Sequence, residues 1–331
     1  MLDIITHPVF LGIVAFLVGS GLALWIISYF VAARIVYDRT LRRTSKEQWS
    51  RDIPDDITPD GRRMYERGVA WSEENLAHKR DVHIVSEGLN LYGEYYDLGY
   101  DRTVMILSGR TESLRYGYFF AIPYAACGCN VLVMDPRAHG KSDGEFNTVG
   151  FEESKDIRAW VRFLKSEMGV HSVIFHGICI GAAGGMLALT AEDCPDGIDA
   201  IVTEGMFPNF SESMKNHLIE RKKPVRGLVE LIDRRMRRFT GHSMTYGPID
   251  VIHRMHKPLL MLHSREDLYS TPEYAQKLFD KAGSAHKRLV WFERGKHSML
   301  RITDTERYDS AIAAFLAEVY QHSQSHTLNQ S

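Results

Sequence analysis

The 331-residue sequence has no excess of positive charge: 40 Lys and Arg stand against 42 Asp and Glu, a formal net charge of -2. Nucleic-acid binding draws on basic residues that displace counterions from phosphates, so this balance argues against DNA or RNA as a partner. Cysteine is scarce, four residues in all, far below the density of a disulfide scaffold. Cys127 and Cys129 flank a single glycine without the second ligand pair of a zinc site, and with Cys194 they read as small, buried, apolar residues. HExxH, the phosphate-binding GxxxxGK[ST] loop and a GxGxxG turn after a first strand are all missing. Metal, nucleotide and NAD chemistry have no motif behind them, and no cofactor is expected.

Charge is absent from Val9 to Ala33, a stretch long enough to cross a hydrocarbon core of roughly 30 Å as a helix. The residues ahead of it carry no Lys or Arg, and the run exceeds the apolar region of a signal peptide, so a retained anchor over residues 1–33 is favoured over a cleaved leader. Arg34, Arg39, Arg42, Arg43 and Lys46 follow, against Asp38 and Glu47. Such an excess marks the cytoplasmic side, so a single-pass protein with its folded part in the cytoplasm is expected.

Residues 34–80 are charged and interrupted by Pro54 and Pro59. They read as a juxtamembrane connector followed by a helix from about Asp60 to Ala77, an appendage to the core. From Asp81 the pattern changes. A hairpin around Glu87-Gly88 is followed by the apolar runs 103–108, 130–135, 172–176, 198–204, 258–263 and 288–293, eight strands in all. The helical stretches between most of them, such as Phe151 to Met168, predict a mostly parallel sheet covered on both faces, an α/β domain over 81–320. The alternation stops between about 207 and 255, where a basic helical insertion stands before the seventh strand. The polar residues 321–331 read as a disordered tail.

The stretch "HGICIG", residues 176–181, carries the chemistry. A nucleophile on a sharp strand-to-helix turn needs small residues two before and two after it, and Gly177 and Gly181 meet that demand around Cys179. The following helix points its N–H groups at the sulfur, which favours thiolate. Beyond the seventh strand comes Asp267, and beyond the eighth His297, the chain order nucleophile, acid, histidine. Glu204, ending the sixth strand, is a second position for the acid. Glu266 points elsewhere if Asp267 points inward. His139, His176 and His263 read as packing or hydrogen-bonding residues.

In this order of residues, in the "DPRAHGKSDG" loop (135–144) and in the insertion before the acid strand, the chain from about Asp81 to Tyr320 resembles the α/β-hydrolase superfamily. With its apolar N-terminal run it is similar to membrane-anchored bacterial esterase-like members. The resemblance implies a triad of Cys179, His297 and Asp267, with the N–H groups of Ile180 and Arg110 as oxyanion donors. Two departures stand out: cysteine replaces the usual serine, and Ser108-Gly109-Arg110 replaces the usual His-Gly. The Arg110 guanidinium could equally recognise a substrate carboxylate or phosphate, or be a solvated loop residue.

A thiolate suits activated esters, thioesters and acyl transfer better than amides. Three functions remain open: an ester or thioester hydrolase working through an acyl-enzyme, an acyltransferase using the same intermediate, and an anchored binding protein that lost its nucleophile. The partners expected are a small acyl substrate and the membrane. The basic run Arg234-Arg235-Met236-Arg237-Arg238 motivates a weaker expectation of an amphiphilic substrate taken from the bilayer, the alternative being a solvated helix face.

Overall fold

The structure, a computed structural model, describes residues 8–43 and 58–328. Lys46, Glu47 and Pro54 of the connector and the last three residues of the tail lie outside the described residues. Eight strands form one sheet: β1 (Lys79–Ser86), β2 (Leu89–Tyr96), β3 (Arg102–Leu107), β4 (Asn130–Met134), β5 (Ser172–Ile178), β6 (Ile198–Glu204), β7 (Leu259–Ser264) and β8 (Lys287–Phe292). Their order is β1-β2-β4-β3-β5-β6-β7-β8, with β1 and β2 antiparallel to their neighbours and the rest parallel. The eight-stranded, mostly parallel α/β arrangement expected from the apolar runs is the one observed.

Alternate residues of the central strands feed opposite faces, because side chains change sides at every residue. Met105, Leu132, Phe175 and Ile201 pack with Trp160 and Leu164 of a helix over Phe151–Ser166. Val104, Val131, Ile174 and Val202 pack on the other face with Phe119 and Tyr124 of the helix Leu114–Ala126 and with Ile312 and Leu316 of the last helix. In chain order the longer helices are α1 (Pro8–Thr40), α2 (Pro59–Glu74), α3 (Leu114–Ala126), α4 (Phe151–Ser166), α5 (Ile180–Leu189), α6 (Phe210–Glu220), α7 (Leu228–Thr240), α8 (Pro272–Lys281) and α9 (Thr305–Leu328). The last continues through residues whose composition suggested a disordered tail from Gln321.

Helix α1 is long and apolar enough to cross a membrane; its most apolar window has mean hydropathy 2.4 and is 0% buried. Its C-terminal end behaves differently. Ala33, Tyr37 and Leu41, spaced four apart on one helix face, are buried against Phe210, Met214 and Leu228 of the insertion. Asp38 pairs with Arg235 of α7 at 3.6 Å. Beyond the helix, Arg43 N–H donates to the Glu145 carbonyl at 2.7 Å, and its guanidinium reaches the carbonyls of Ser142 and Gly140. Helix α2 starts at Pro59, with the Thr58 side chain accepting from Gly61 N–H. It buries Met64 and Trp71 in the second core cluster, the Trp71 ring 4.8 Å from that of Tyr96. Both described segments of the 34–80 region thus pack into the domain instead of standing apart from it.

Candidate active site

Cys179 stands between β5 and α5 with φ 54° and ψ −113°. A non-glycine residue held in this region stores about 1–3 kcal/mol of strain, which the surrounding packing must over-determine. The packing is visible at the two glycines. A Cβ on Gly177 would lie 2.5 Å from the Ala182 nitrogen, and one on Gly181 would lie 2.2 Å from the Leu107 carbonyl oxygen. Strand and helix approach too closely there for any side chain. The turn also leaves the first N–H groups of α5, beginning with Ile180, without intrahelical acceptors.

Asp267 and His297 meet beyond the carboxyl ends of β7 and β8. The Asp267 carboxylate accepts at Oδ2 from His297 Nδ1 at 2.7 Å and at Oδ1 from the backbone N–H groups of Tyr269 and Ser270, each at 2.9 Å. Burial alone would raise its pKa, but His297, His263 and the Ser270 N–H hold it below the ordinary carboxylate value. For His297, burial opposes the charged form, yet the charges of Asp267 and Cys179 outweigh it and lift the imidazole well above 6.5. Its buried Nε2 meets no partner at good hydrogen-bond geometry other than Cys179, whose charge and hydrogen bond both help to raise the imidazole. The three residues singled out in the sequence are brought together.

Glu204, the other position considered for the acid, is turned to a different task. It is fully buried, accepts from Tyr308 O–H at 2.7 Å and from Leu300 N–H at 3.2 Å, and burial pushes its carboxyl up to about 7. No hydrogen bond joins it to His297 among the described residues. Glu266 accepts from Gly295 N–H instead. His139, His176 and His263 are buried and hydrogen-bonded, to Arg137 and Thr111, to Tyr308 and to Ser270 respectively.

Arg110 lies in the loop after β3, whose course is fixed on either side of it. Gly109 N–H donates to Glu112 Oε2 and Thr111 N–H donates to His139 Nε2, both at 3.0 Å. The loop runs close to the nucleophile: a Cβ on Gly109 would be 3.3 Å from that of Cys179. His139 can accept there only while neutral, and burial holds its pKa down at about 4.

Several residues at the site escaped the sequence reading. Gly205, at φ +61°, lets the chain pass His297, since a Cβ there would sit 2.9 Å from the imidazole. His217 of α6 stacks on Tyr269 at 3.7 Å between centroids, and the Tyr269 ring lies edge-on to His297 at 5.5 Å. Asn216 donates to the Tyr269 carbonyl at 3.1 Å, and the Tyr269 hydroxyl donates to Glu220. Helix α6 of the insertion therefore clamps the loop that carries the acid. The sequence marks the insertion as basic and helical, but the pairing of His217 with Tyr269 has no local signal. Among the described residues no cluster of His, Cys, Asp and Glu could hold a metal ion.

Comparison with known proteins agrees with this fold. A family model for the alpha/beta hydrolase fold matches residues 102–241. The chain is 30% identical over 221 residues to the uncharacterized protein YqkD of Bacillus subtilis (strain 168), covering 65% of this chain and 70% of that one. It is 26% identical over 183 residues to human protein ABHD12B, covering 52% and 49% of the two chains. Among solved structures, the esterase Pf2001 of Pyrococcus furiosus superposes with a TM-score of 0.61 at 23% identity, over 81% of this chain and 98% of that one. The chain belongs to the α/β-hydrolase superfamily.

Proposed function

We propose that the chain is a membrane-anchored hydrolase of acyl esters or thioesters, with Cys179 as nucleophile, His297 as acid and base, and Asp267 as the residue that orients the imidazole. The observation that carries this reading is the 2.7 Å bond from His297 Nδ1 to Asp267. It fixes the tautomer and leaves Nε2 available beside a cysteine held at a strained elbow. The Cys179 sulfur attacks the acyl carbon, forming a C–S bond. The negative charge on the acyl oxygen is met by the N–H groups of Ile180 and Arg110. Collapse breaks the bond to the leaving oxygen or sulfur, which takes the proton held on His297 Nε2. Water then attacks the thioester, giving one proton to His297, and the C–S bond breaks to release the acid and restore the thiolate.

The esterase name of the Pyrococcus furiosus relative supports an ester substrate. The excess of Arg after the apolar helix supports a domain facing the cytoplasm. The test is the rate of Cys179 alkylation against pH, with intact mass after p-nitrophenyl acetate or an acyl thioester, in the native protein and His297→Ala. Fast labelling near neutral pH and an acyl adduct on Cys179, both lost in His297→Ala, are expected. Labelling no faster than at Cys127 or Cys194, with no adduct, would make the protein a binding module.

A further inference from the structure

A cavity of about 480 Å³ lies between α1 and the helical insertion. Its wall on α1 includes Ser28, Ala32, Val36 and Arg39, a strip with near-helical spacing that runs beside the buried face of Ala33, Tyr37 and Leu41. Ser28 and Arg39 are separated by about 16 Å along the helix axis. The strip begins inside the uncharged stretch that ends at Ala33 and finishes beyond its first charged residue, Arg34. The facing wall is mostly apolar, with Phe210, Met214, Leu218 and Leu228, and carries Arg221 and Lys223 as well.

The cavity is also lined by Arg110 and His217, the two residues that adjoin the catalytic cluster. Arg110 follows Gly109, on which a Cβ would lie 3.3 Å from that of Cys179, and His217 stacks on the tyrosine that borders His297. A hydrocarbon chain is the ligand that fits such a space: it needs no hydrogen bonds from the apolar walls and gains roughly fourfold in affinity per buried CH₂.

We propose that this cavity is the acyl-chain site of the enzyme, that α1 itself forms one of its walls, and that the substrate is a long-chain acyl ester drawn from the bilayer. This rests on the hydrolase reading above and gives its substrate class. The chain lies along α1 with its carbonyl carried past Arg110 to Cys179. The anchor helix then has a second role, as part of the binding site.

The test uses the full-length protein in phosphatidylcholine vesicles, with p-nitrophenyl acetate and p-nitrophenyl dodecanoate as donors and intact mass to count acylated Cys179. In the native protein kcat/KM should rise at least about tenfold from the short to the long ester, as expected if even a few CH₂ groups are buried. Ala32→Trp, which fills the cavity, should collapse the long-to-short ratio at least about tenfold. Leu17→Trp, on the exposed part of the same helix, should leave it as in the native protein and so control for partition of the ester into the vesicle.

A native ratio near one, or a preference that survives Ala32→Trp in protein that still acylates with acetate, overturns the proposal. If Ala32→Trp does not fold, Val36→Trp and the native ratio decide in the same way. Absence of acylation by either ester would overturn the hydrolase reading, and this inference with it, and is distinguished from the other failures by the acetate arm.

Discussion

A Cβ on Gly181 would fall 2.2 Å from the backbone of β3, whereas one on Gly19 of the exposed helix meets nothing within 4 Å. Gly181→Ala should therefore lower the stability measured by urea unfolding by about 3 kcal/mol and slow Cys179 labelling, while Gly19→Ala changes neither; equal effects would mean that the elbow is not closely packed. The assignment of the acid is equally local. Asp267→Asn keeps the shape but lets the wrong tautomer of His297 form, so acyl transfer should fall on the order of 10³–10⁴-fold. Glu204→Gln, which alters the Tyr308 network, should cost no more than a few-fold in the same assay. Because Asp267 is held below its ordinary 3.8, acidification to that value should leave its carboxylate charged and its bond to His297 intact. The elbow was legible because its demands fall within five consecutive residues. Gly205 was not, since it acts on His297, a partner brought close by the sheet and not by sequence; His139 was read as a hydrogen-bonding residue, but its partner Thr111 could not be named.

At the scale of elements, strands and helices were legible wherever apolar residues kept a period of two or of 3.6, as in β4 and α4. What the period cannot say is which surface a polar, charged segment covers. Helix α2 illustrates this: flanking prolines and many charges suggested an appendage, yet Trp71 is 8% exposed and lies against Tyr96, whose hydroxyl donates to the buried Glu94. Trp71→Ala should therefore cost about 3–5 kcal/mol in urea unfolding; a loss below about 1 kcal/mol would restore the view of α2 as peripheral. The same limit hid the docking of α1. Ala33, Tyr37 and Leu41 form a stripe in hindsight, but the last two lie among Arg34, Asp38 and Arg39, and their pattern does not say that these turns pack on the insertion.

For the whole molecule, the buried titratable groups set a dependence of stability on pH whose sign can be worked out. His139, His176 and His217 have folded values of about 4, 3 and 3, all depressed mainly by burial from an ordinary 6.5. Below 6.5 the unfolded chain takes up protons that the folded chain refuses, so each group removes up to ~1.4 kcal/mol per pH unit as the pH falls toward its folded value. Glu204 acts in the opposite sense: burial lifts it from 4.5 to about 7, so between these values the folded state binds the extra proton and gains stability on acidification. His263 is depressed by burial too, and Asp135, Asp156 and Asp199 are raised by it and act in the sense of Glu204; just below pH 6.5 the four histidines outweigh Glu204, a net loss on acidification. On the alkaline side His297, raised by Asp267 and Cys179 despite burial, gives a contribution that is complete below 6.5 and is lost as pH rises through its folded value. Urea midpoints in detergent micelles should therefore peak near neutrality. The acid limb should become shallower in His176→Phe and steeper in Glu204→Gln. A profile unchanged by either substitution would show that these groups titrate alike in the folded and unfolded chain, and would remove burial as the source of the limb.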